Sequence, residues 1–170
     1  MTDNAARDLL IDSFARIREL VVDLTDGLSE EDSTYRPAPA ANTPGWLLWH
    51  LTRVQDDHIA GLAGAQQAWP NWRDRFALPF DVAATGYGFG ADDVAATDVT
   101  DPQLLVGYHA EVHRRTAEFL RTVTAEDLDR VVDRRWNPPV TLGVRLVSVI
   151  TDDLQHAGQA GYLRGVLEHR

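Results

Sequence analysis

Four long segments of the chain carry apolar side chains three and four positions apart, the spacing of helices that bury one face. The clearest stripe lies near the start and consists of Leu10, Phe14, Ile17, Val21 and Leu24. The spacing predicts four helices, over residues 5–26, 43–64, 101–123 and 141–167. No segment has the strict alternation of a half-buried strand. Four helices of this length are typical of a four-helix bundle, so we expect an all-α fold in a single domain, residues 1–170.

The ends of the predicted helices carry matching signals. Thr43 and Asp101 are each followed by proline, which suits an N-cap residue with proline at the first helical position. Thr141 is a third N-cap candidate, and Gly27 would end the first helix. The connection over residues 65–100 is much longer than a usual loop and holds six aromatic residues. We therefore expect this irregular crossover between the second and third helices to pack on the bundle and to line a pocket.

The composition excludes several kinds of chemistry. The chain has no cysteine, so disulfides, thiolate nucleophiles and cysteine-bound zinc are ruled out. Its 16 basic residues are all arginine and its net charge is -10, which argues against nucleic-acid binding. No apolar run is long enough to cross a membrane and no signal peptide is visible, so we expect a cytoplasmic protein. The arginine-only usage, with abundant Ala, Val, Asp and Gly, suggests a high-GC genome such as that of an actinobacterium.

The segment TDDLQHAGQAGYLRG, within the fourth helix, places a carboxylate and an imidazole on one helix face. Asp152 and His156 are four residues apart, so their side chains lie nearly above one another and can address one ion. A third ligand is offered by His50, which stands among apolar residues of the second helix and needs a partner there. Two imidazoles and one carboxylate form the ligand set of catalytic zinc and of iron(II) facial triads.

The histidines also allow other interpretations. His50 could hydrogen-bond Asp152 in a buried pair without any metal. His109 and His113, four residues apart on the third helix, form a rival pair. The charged neighbours of this pair indicate a surface position for His113, while the place of His109 stays open. We expect His58 and His169 to be solvated.

The chain resembles the DinB-like superfamily, and most closely its actinobacterial mycothiol-dependent maleylpyruvate isomerase-like proteins. The similarity spans nearly the whole chain and rests on Trp46 with His50 in the second helix, and on His156 with Gln159 in the fourth. The resemblance implies an up-down-down-up bundle and a divalent metal held by His50, Asp152 and His156. Relatives usually have histidine or glutamate at the position of Asp152, whose shorter side chain puts its reach in question.

The resemblance also implies an activity, a metal-dependent S-transferase or isomerase that uses a thiol such as mycothiol as cosubstrate and acts on a small molecule. The expected metal is zinc, with nickel or iron as alternatives, and related bundles suggest a homodimer. Candidate catalytic residues are Arg53, Asp57 and Gln159: Arg53 could bind a substrate carboxylate or instead be a surface residue paired with a neighbouring aspartate, and Gln159 could touch substrate or pack in the bundle. The alternative functions are a non-catalytic metal- or ligand-binding bundle and a metal hydrolase with Asp57 as its base.

Overall fold

The computed structural model describes residues 5–169 and shows a bundle of four long α-helices with short helices in its connections. In chain order the helices are α1 (Ala5–Thr25), α2 (Glu30–Ser33), α3 (Pro44–Ala63), α4 (Arg73–Phe76), α5 (Ala91–Ala96), α6 (Pro102–Thr122) and α7 (Leu142–Glu168). The all-α prediction is confirmed, and the bounds of α1, α3, α6 and α7 match the predicted segments to within one residue at each end. No helix among residues 5–169 is long and apolar enough to span a membrane.

Capping side chains fix where three of the long helices begin. Thr43 Oγ1 accepts a hydrogen bond of 3.0 Å from a backbone N–H of α3, and Asp101 Oδ1 accepts one of 3.0 Å from α6. Proline follows each of these caps, as predicted. Thr141 caps α7 in the same way at 3.3 Å. These caps satisfy N–H groups that would otherwise lack partners at the helix starts.

The long helices are arranged so that α3 and α1 each pack between α6 and α7. Thr52 contacts His109 and, further along both helices, Gln55 contacts Thr116, so α3 and α6 run parallel. His50 lies beside His156, whereas His58, later in α3, lies near Arg145, earlier in α7. Helices α3 and α7 are therefore antiparallel, and the expected up-down-down-up order is confirmed.

The long crossover between α3 and α6 packs on the bundle rather than extending from it. Trp69, Phe76 and Val94 are buried there and join the core cluster that includes Tyr108 of α6. Their burial confirms the expectation drawn from the aromatic content of the crossover. The crossover covers the face of α3 that carries Arg53, as described below.

One element departs from the sequence interpretation. A two-stranded antiparallel ladder, β1 (Val131–Asp133) and β2 (Val140–Thr141), precedes α7 where no strand was expected. Strands of three and two residues are too short to show alternation in a sequence. The ladder holds the arginine-rich turn of residues 134–139 beside the start of α7.

Candidate metal centre

The structure brings the three predicted ligands together in the seam between α3 and α7. His50, Asp152 and His156 each offer one ligand atom, and these atoms all lie within 4.8 Å of one another. His156 Nε2 is 3.7 Å from Asp152 Oδ1, and the two imidazole rings are 4.8 Å apart between centroids. Metal–nitrogen bonds are about 2 Å long, so the side chains would close slightly around an ion.

A backbone carbonyl fixes the orientation of His50. His50 Nδ1 is 2.5 Å from the oxygen of Thr85, in the crossover. Because a carbonyl only accepts, Nδ1 carries the proton and Nε2 keeps a free lone pair for a metal. Burial lowers the pKa of His50, although the hydrogen bond to Thr85 opposes this effect, so the ring is favoured in the neutral form that binds metals.

Gly86 allows this close approach of the crossover to His50. Its φ is +93°, a region that residues with a side chain rarely adopt, and a Cβ built there would lie 2.7 Å from His50 Nδ1. Neither Thr85 nor Gly86 was among the predicted site residues. The only sequence signal was the glycine-rich run TGYGFG, which predicts tight turns but does not say which helix the turns touch.

His156 and His50 are also held by their neighbours on the same helices. His156 Nδ1 approaches Gln159 Oε1 at 3.4 Å, which leaves His156 Nε2 directed toward the ligand atoms of His50 and Asp152. Trp46 stacks on His50 with 4.6 Å between ring centroids and meets His156 edge-on. Gln159, a candidate for substrate contact, thus lies next to a ligand as an orienting group.

Asp152 fits a metal ligand better than a hydrogen-bond partner. Its Oδ2 atom is buried and has no hydrogen-bond partner within the described residues, and no hydrogen bond joins it to His50. The alternative of a hydrogen-bonded, metal-free pair of His50 and Asp152 is therefore not seen. A buried oxygen without a partner is costly, and a cation beside it would remove that cost. The side chains present fit a divalent ion of the kind that nitrogen and oxygen ligands prefer.

The neighbouring Asp153 belongs to the core and not to this site. It is 0% exposed, and neither carboxylate oxygen has a partner within residues 5–169. Burial, and to a smaller extent the charge of Asp152, raises the pKa of Asp153 well above its usual range. The carboxyl group is thereby favoured in its neutral form. Consecutive helical residues are rotated by about 100° about the axis, which explains why Asp153 faces the core while Asp152 faces the candidate site.

Arg53 is buried and holds several groups of the crossover. This corrects the interpretation of Arg53 as a surface residue. It is 0% exposed, and its guanidinium donates to Ala84 O at 3.0 Å and to Gln67 Oε1 at 2.9 Å. It also lies over the ring of Trp69, 5.1 Å from the centroid. Since Ala84 precedes Thr85, Arg53 holds the part of the crossover that contacts His50. The surface position was wrong because spacing alone does not reveal that the crossover covers this face, whereas the pairing with a neighbouring aspartate is confirmed, since a guanidinium nitrogen lies 3.6 Å from Asp56 Oδ2.

The other candidate residues lie apart from the three candidate metal ligands. Asp57 accepts a hydrogen bond of 2.7 Å from Gln67 and lines a different pocket. His109 is fully buried against Thr52, and burial lowers the pKa of His109 to about 3. Within the described residues, the group of His50, Asp152 and His156 is the only set of three or more donors close enough for one ion, so the rival pair on α6 is not supported.

Two histidines expected at the surface are partly buried. His113 is half-buried beside the backbone of Phe14 in α1. His58 is half-buried beside Arg145 of α7. The expectation for His113 rested on its charged neighbours in the sequence, which do not show where another helix packs. His169 is exposed, as expected.

Comparison with known proteins shows the family of this chain and agrees with its fold. The family model for mycothiol-S-transferase matches residues 9–169. The chain belongs to the mycothiol S-transferase family. Membership in this family confirms the DinB-like resemblance. A solved structure of a conserved protein from Enterococcus faecalis is 30% identical and has a TM-score of 0.88, with 96% of this chain and 97% of that chain covered. A search among curated proteins gave no match.

Proposed function

We propose that the protein is a divalent-metal-dependent S-transferase that joins a low-molecular-weight thiol, such as mycothiol, to an electrophilic small molecule. One observation carries the proposal: the ligand atoms of His50, Asp152 and His156 lie within 4.8 Å of one another. Membership in the mycothiol S-transferase family supports a thiol as cosubstrate. A thiol-dependent isomerase would use the same groups.

The partial exposure of two of the three candidate ligands, Asp152 and His156, favours catalysis over closed metal storage. The side chain of His156 is 17% exposed and that of Asp152 is 37% exposed, while His50 is buried. Structural zinc sites are closed by four protein ligands, whereas catalytic sites keep a position open for substrate. Three protein ligands with one side toward solvent fit the second description. When bound, the ion supplies positive charge that lowers the pKa of a thiol and provides thiolate at neutral pH.

The chain itself holds and orients the reactants. It has no cysteine, so the attacking sulfur belongs to the cosubstrate. That thiol releases its proton to solvent, its sulfur forms the new carbon–sulfur bond, and the bond from this carbon to the leaving group breaks, so that the leaving group departs with the electron pair. Thr85 and Gln159 keep both imidazoles in the orientation that leaves Nε2 free.

No observation favours the hydrolase alternative. Such an enzyme needs a general base beside the metal-bound water. Asp57, the residue considered for that role, is seven residues after His50 on α3. A helix rises about 1.5 Å per residue, so Asp57 lies roughly 10 Å along the helix from the ligand.

The first experiment is elemental analysis of protein purified without a polyhistidine tag, followed by a thiol-consumption assay with mycothiol and an alkylating electrophile. We expect about one equivalent of zinc, nickel or iron per chain, a stoichiometry set by one three-ligand site. His156→Ala is expected to lose both the metal and the thiol transfer. His169→Ala removes an exposed histidine and is the matched control, which should keep both.

Two results would refute the proposal in different ways. If the wild-type protein contains no metal and takes up none from added zinc, the proposed metal-dependent activity is refuted. Protein that binds one equivalent of metal at these residues but consumes no thiol would leave the non-catalytic binding bundle as the function.

A further inference from the structure

A second pocket lies along the same seam as the candidate metal centre. Asp57 is seven residues after His50 on α3, and Arg145 is seven residues before Asp152 on α7, and both line this pocket. Seven residues are almost two full turns, so each residue shares a helix face with its ligand. Because the two helices are antiparallel, both steps lead in the same direction, and the pocket lies about 10 Å from the metal ligands.

The burial of His58 gives independent evidence for this placement. Burial lowers the pKa of His58, and the charges of both Arg145 and Asp152 act on it. His58 also lines the pocket. It therefore stands within electrostatic reach of the pocket wall and of one metal ligand.

The pocket has an excess of positive charge on a strongly acidic chain. Its volume is about 640 Å³, and four arginines and two aspartates line it: Arg130, Arg134, Arg135, Arg145, Asp57 and Asp133. The whole chain carries a net charge of -10. A concave positive site on such a surface concentrates anions that the rest of the surface repels.

Two of the four arginines, Arg130 and Arg134, make no side-chain hydrogen bond or close ion pair among the residues that the structure describes, although the charge of Arg130 also acts on Asp127. Asp133 forms ion pairs with Arg135 at 2.8 Å and with Arg145 at 3.0 Å, so both of these guanidinium groups have a carboxylate partner. The guanidinium groups of Arg130 and Arg134 make no hydrogen bond or ion pair with any residue from 5 to 169. Asp57 forms no ion pair with either of them, and the carboxylate that accepts a hydrogen bond from Gln67 leaves the four arginines and two aspartates with an excess of positive charge. Two guanidinium groups are thus available to a ligand.

We propose that this pocket binds an anionic oxygen group, a carboxylate or a phosphate, at the end of the substrate remote from the metal centre. The proposal rests on the proposed function and deepens it, since it assigns the substrate class: an acidic small molecule with its anionic end about 10 Å from its reacting atom. Guanidinium groups match both anions through paired N–H donors. The arginines would thereby orient the reacting end toward the metal ligands.

The test is calorimetric titration of the full-length protein with succinate and, separately, with inorganic phosphate. Millimolar binding of either anion is expected, and the tighter of the two identifies the group. The double variant Arg130→Ala/Arg134→Ala should weaken binding about tenfold or more, since each charge-assisted hydrogen bond is a strong one. Both residues are exposed and their guanidinium groups bind no described residue, so folding should not change.

Two further variants make the test specific. Arg16→Ala/Arg121→Ala removes the same charge from exposed positions outside the pocket and should bind as the wild type does. His156→Ala should also keep anion binding, so a failure of the metal centre does not affect this readout. Absence of binding in the wild type, or equal weakening in both double variants, would overturn the proposal.

Discussion

Gly86→Ala should weaken metal binding through the contact between the crossover and His50. The added Cβ would lie 2.7 Å from His50 Nδ1 and 3.1 Å from Trp49 Cζ3. Neither atom can move freely, because Trp49 and His50 are both buried. The crossover must therefore shift and take the carbonyl of Thr85 away from the imidazole. Loss of such an orienting hydrogen bond typically costs 10- to 100-fold in metal affinity, or about 1.4–2.7 kcal/mol.

A matched control separates this contact from backbone strain. Gly88 lies in the same loop with φ +75°, and a Cβ added there meets nothing within 4 Å. Both substitutions place alanine in the left-handed region, at a cost of about 1–3 kcal/mol in folding free energy. Only Gly86→Ala should also displace His50.

Zinc affinity measured by competition with a chromophoric chelator checks this expectation, and circular dichroism confirms folding. Gly86→Ala should lose at least about tenfold in affinity, and Gly88→Ala should stay close to the wild type. Wild-type affinity in Gly86→Ala would refute the role given to Thr85. An equal loss in both variants would mean that loop strain, and not the contact with His50, controls the site.

Three further predictions concern buried or partly buried ionisable residues. Arg53→Met should destabilise the fold by about 3–5 kcal/mol in urea unfolding, because it breaks a buried charged network, and a loss below about 1 kcal/mol would contradict that. The pKa of His109 is about 3 in the folded protein, against an ordinary value of 6.5, so the unfolded chain binds the extra proton as pH falls. Wild type should therefore lose about 2 kcal/mol relative to His109→Asn between pH 8 and pH 5, whereas a constant difference would argue against burial of His109. Asp152→Asn should weaken zinc binding and Asp153→Asn should not, while the reverse order would exchange their roles.

The helices and the helix faces that carry His50, Asp152 and His156 follow from local rules, which explains why they could be predicted, while the meeting of the three residues was implied by the family resemblance. The position of a helix cap depends on neighbouring residues, as the proline after Thr43 shows. The pairing of Asp152 with His156 depends only on helical spacing. Even the contribution of His50 could be expected, because a polar ring among apolar neighbours requires a partner.

The surroundings of the ligands could not be predicted in this way. Thr85 meets His50 across 35 positions of sequence, and no periodicity connects an irregular crossover to a helix face. Arg53 illustrates the same limit, since its charge suggested solvent and the crossover covers it completely. Contacts of this type depend on the path of the loop, which is set by tertiary packing and not by local propensity.

The seam between α3 and α7 sets the distance between the candidate metal ligands and the wall of the arginine pocket. On both helices the same seven-residue step separates a candidate ligand from a residue of the pocket wall, Asp57 on α3 and Arg145 on α7, so the distance to this wall is set by helical rise. A rigid separation of about 10 Å would favour substrates whose anionic end and reacting atom match it. An acidic molecule much shorter than this could occupy the pocket or reach the metal ligands, but not both at once. Selection by length would then come from the two helices and from the ladder that Asp133 ties to Arg145 of α7, while the identity of the anionic group would depend on Arg130 and Arg134.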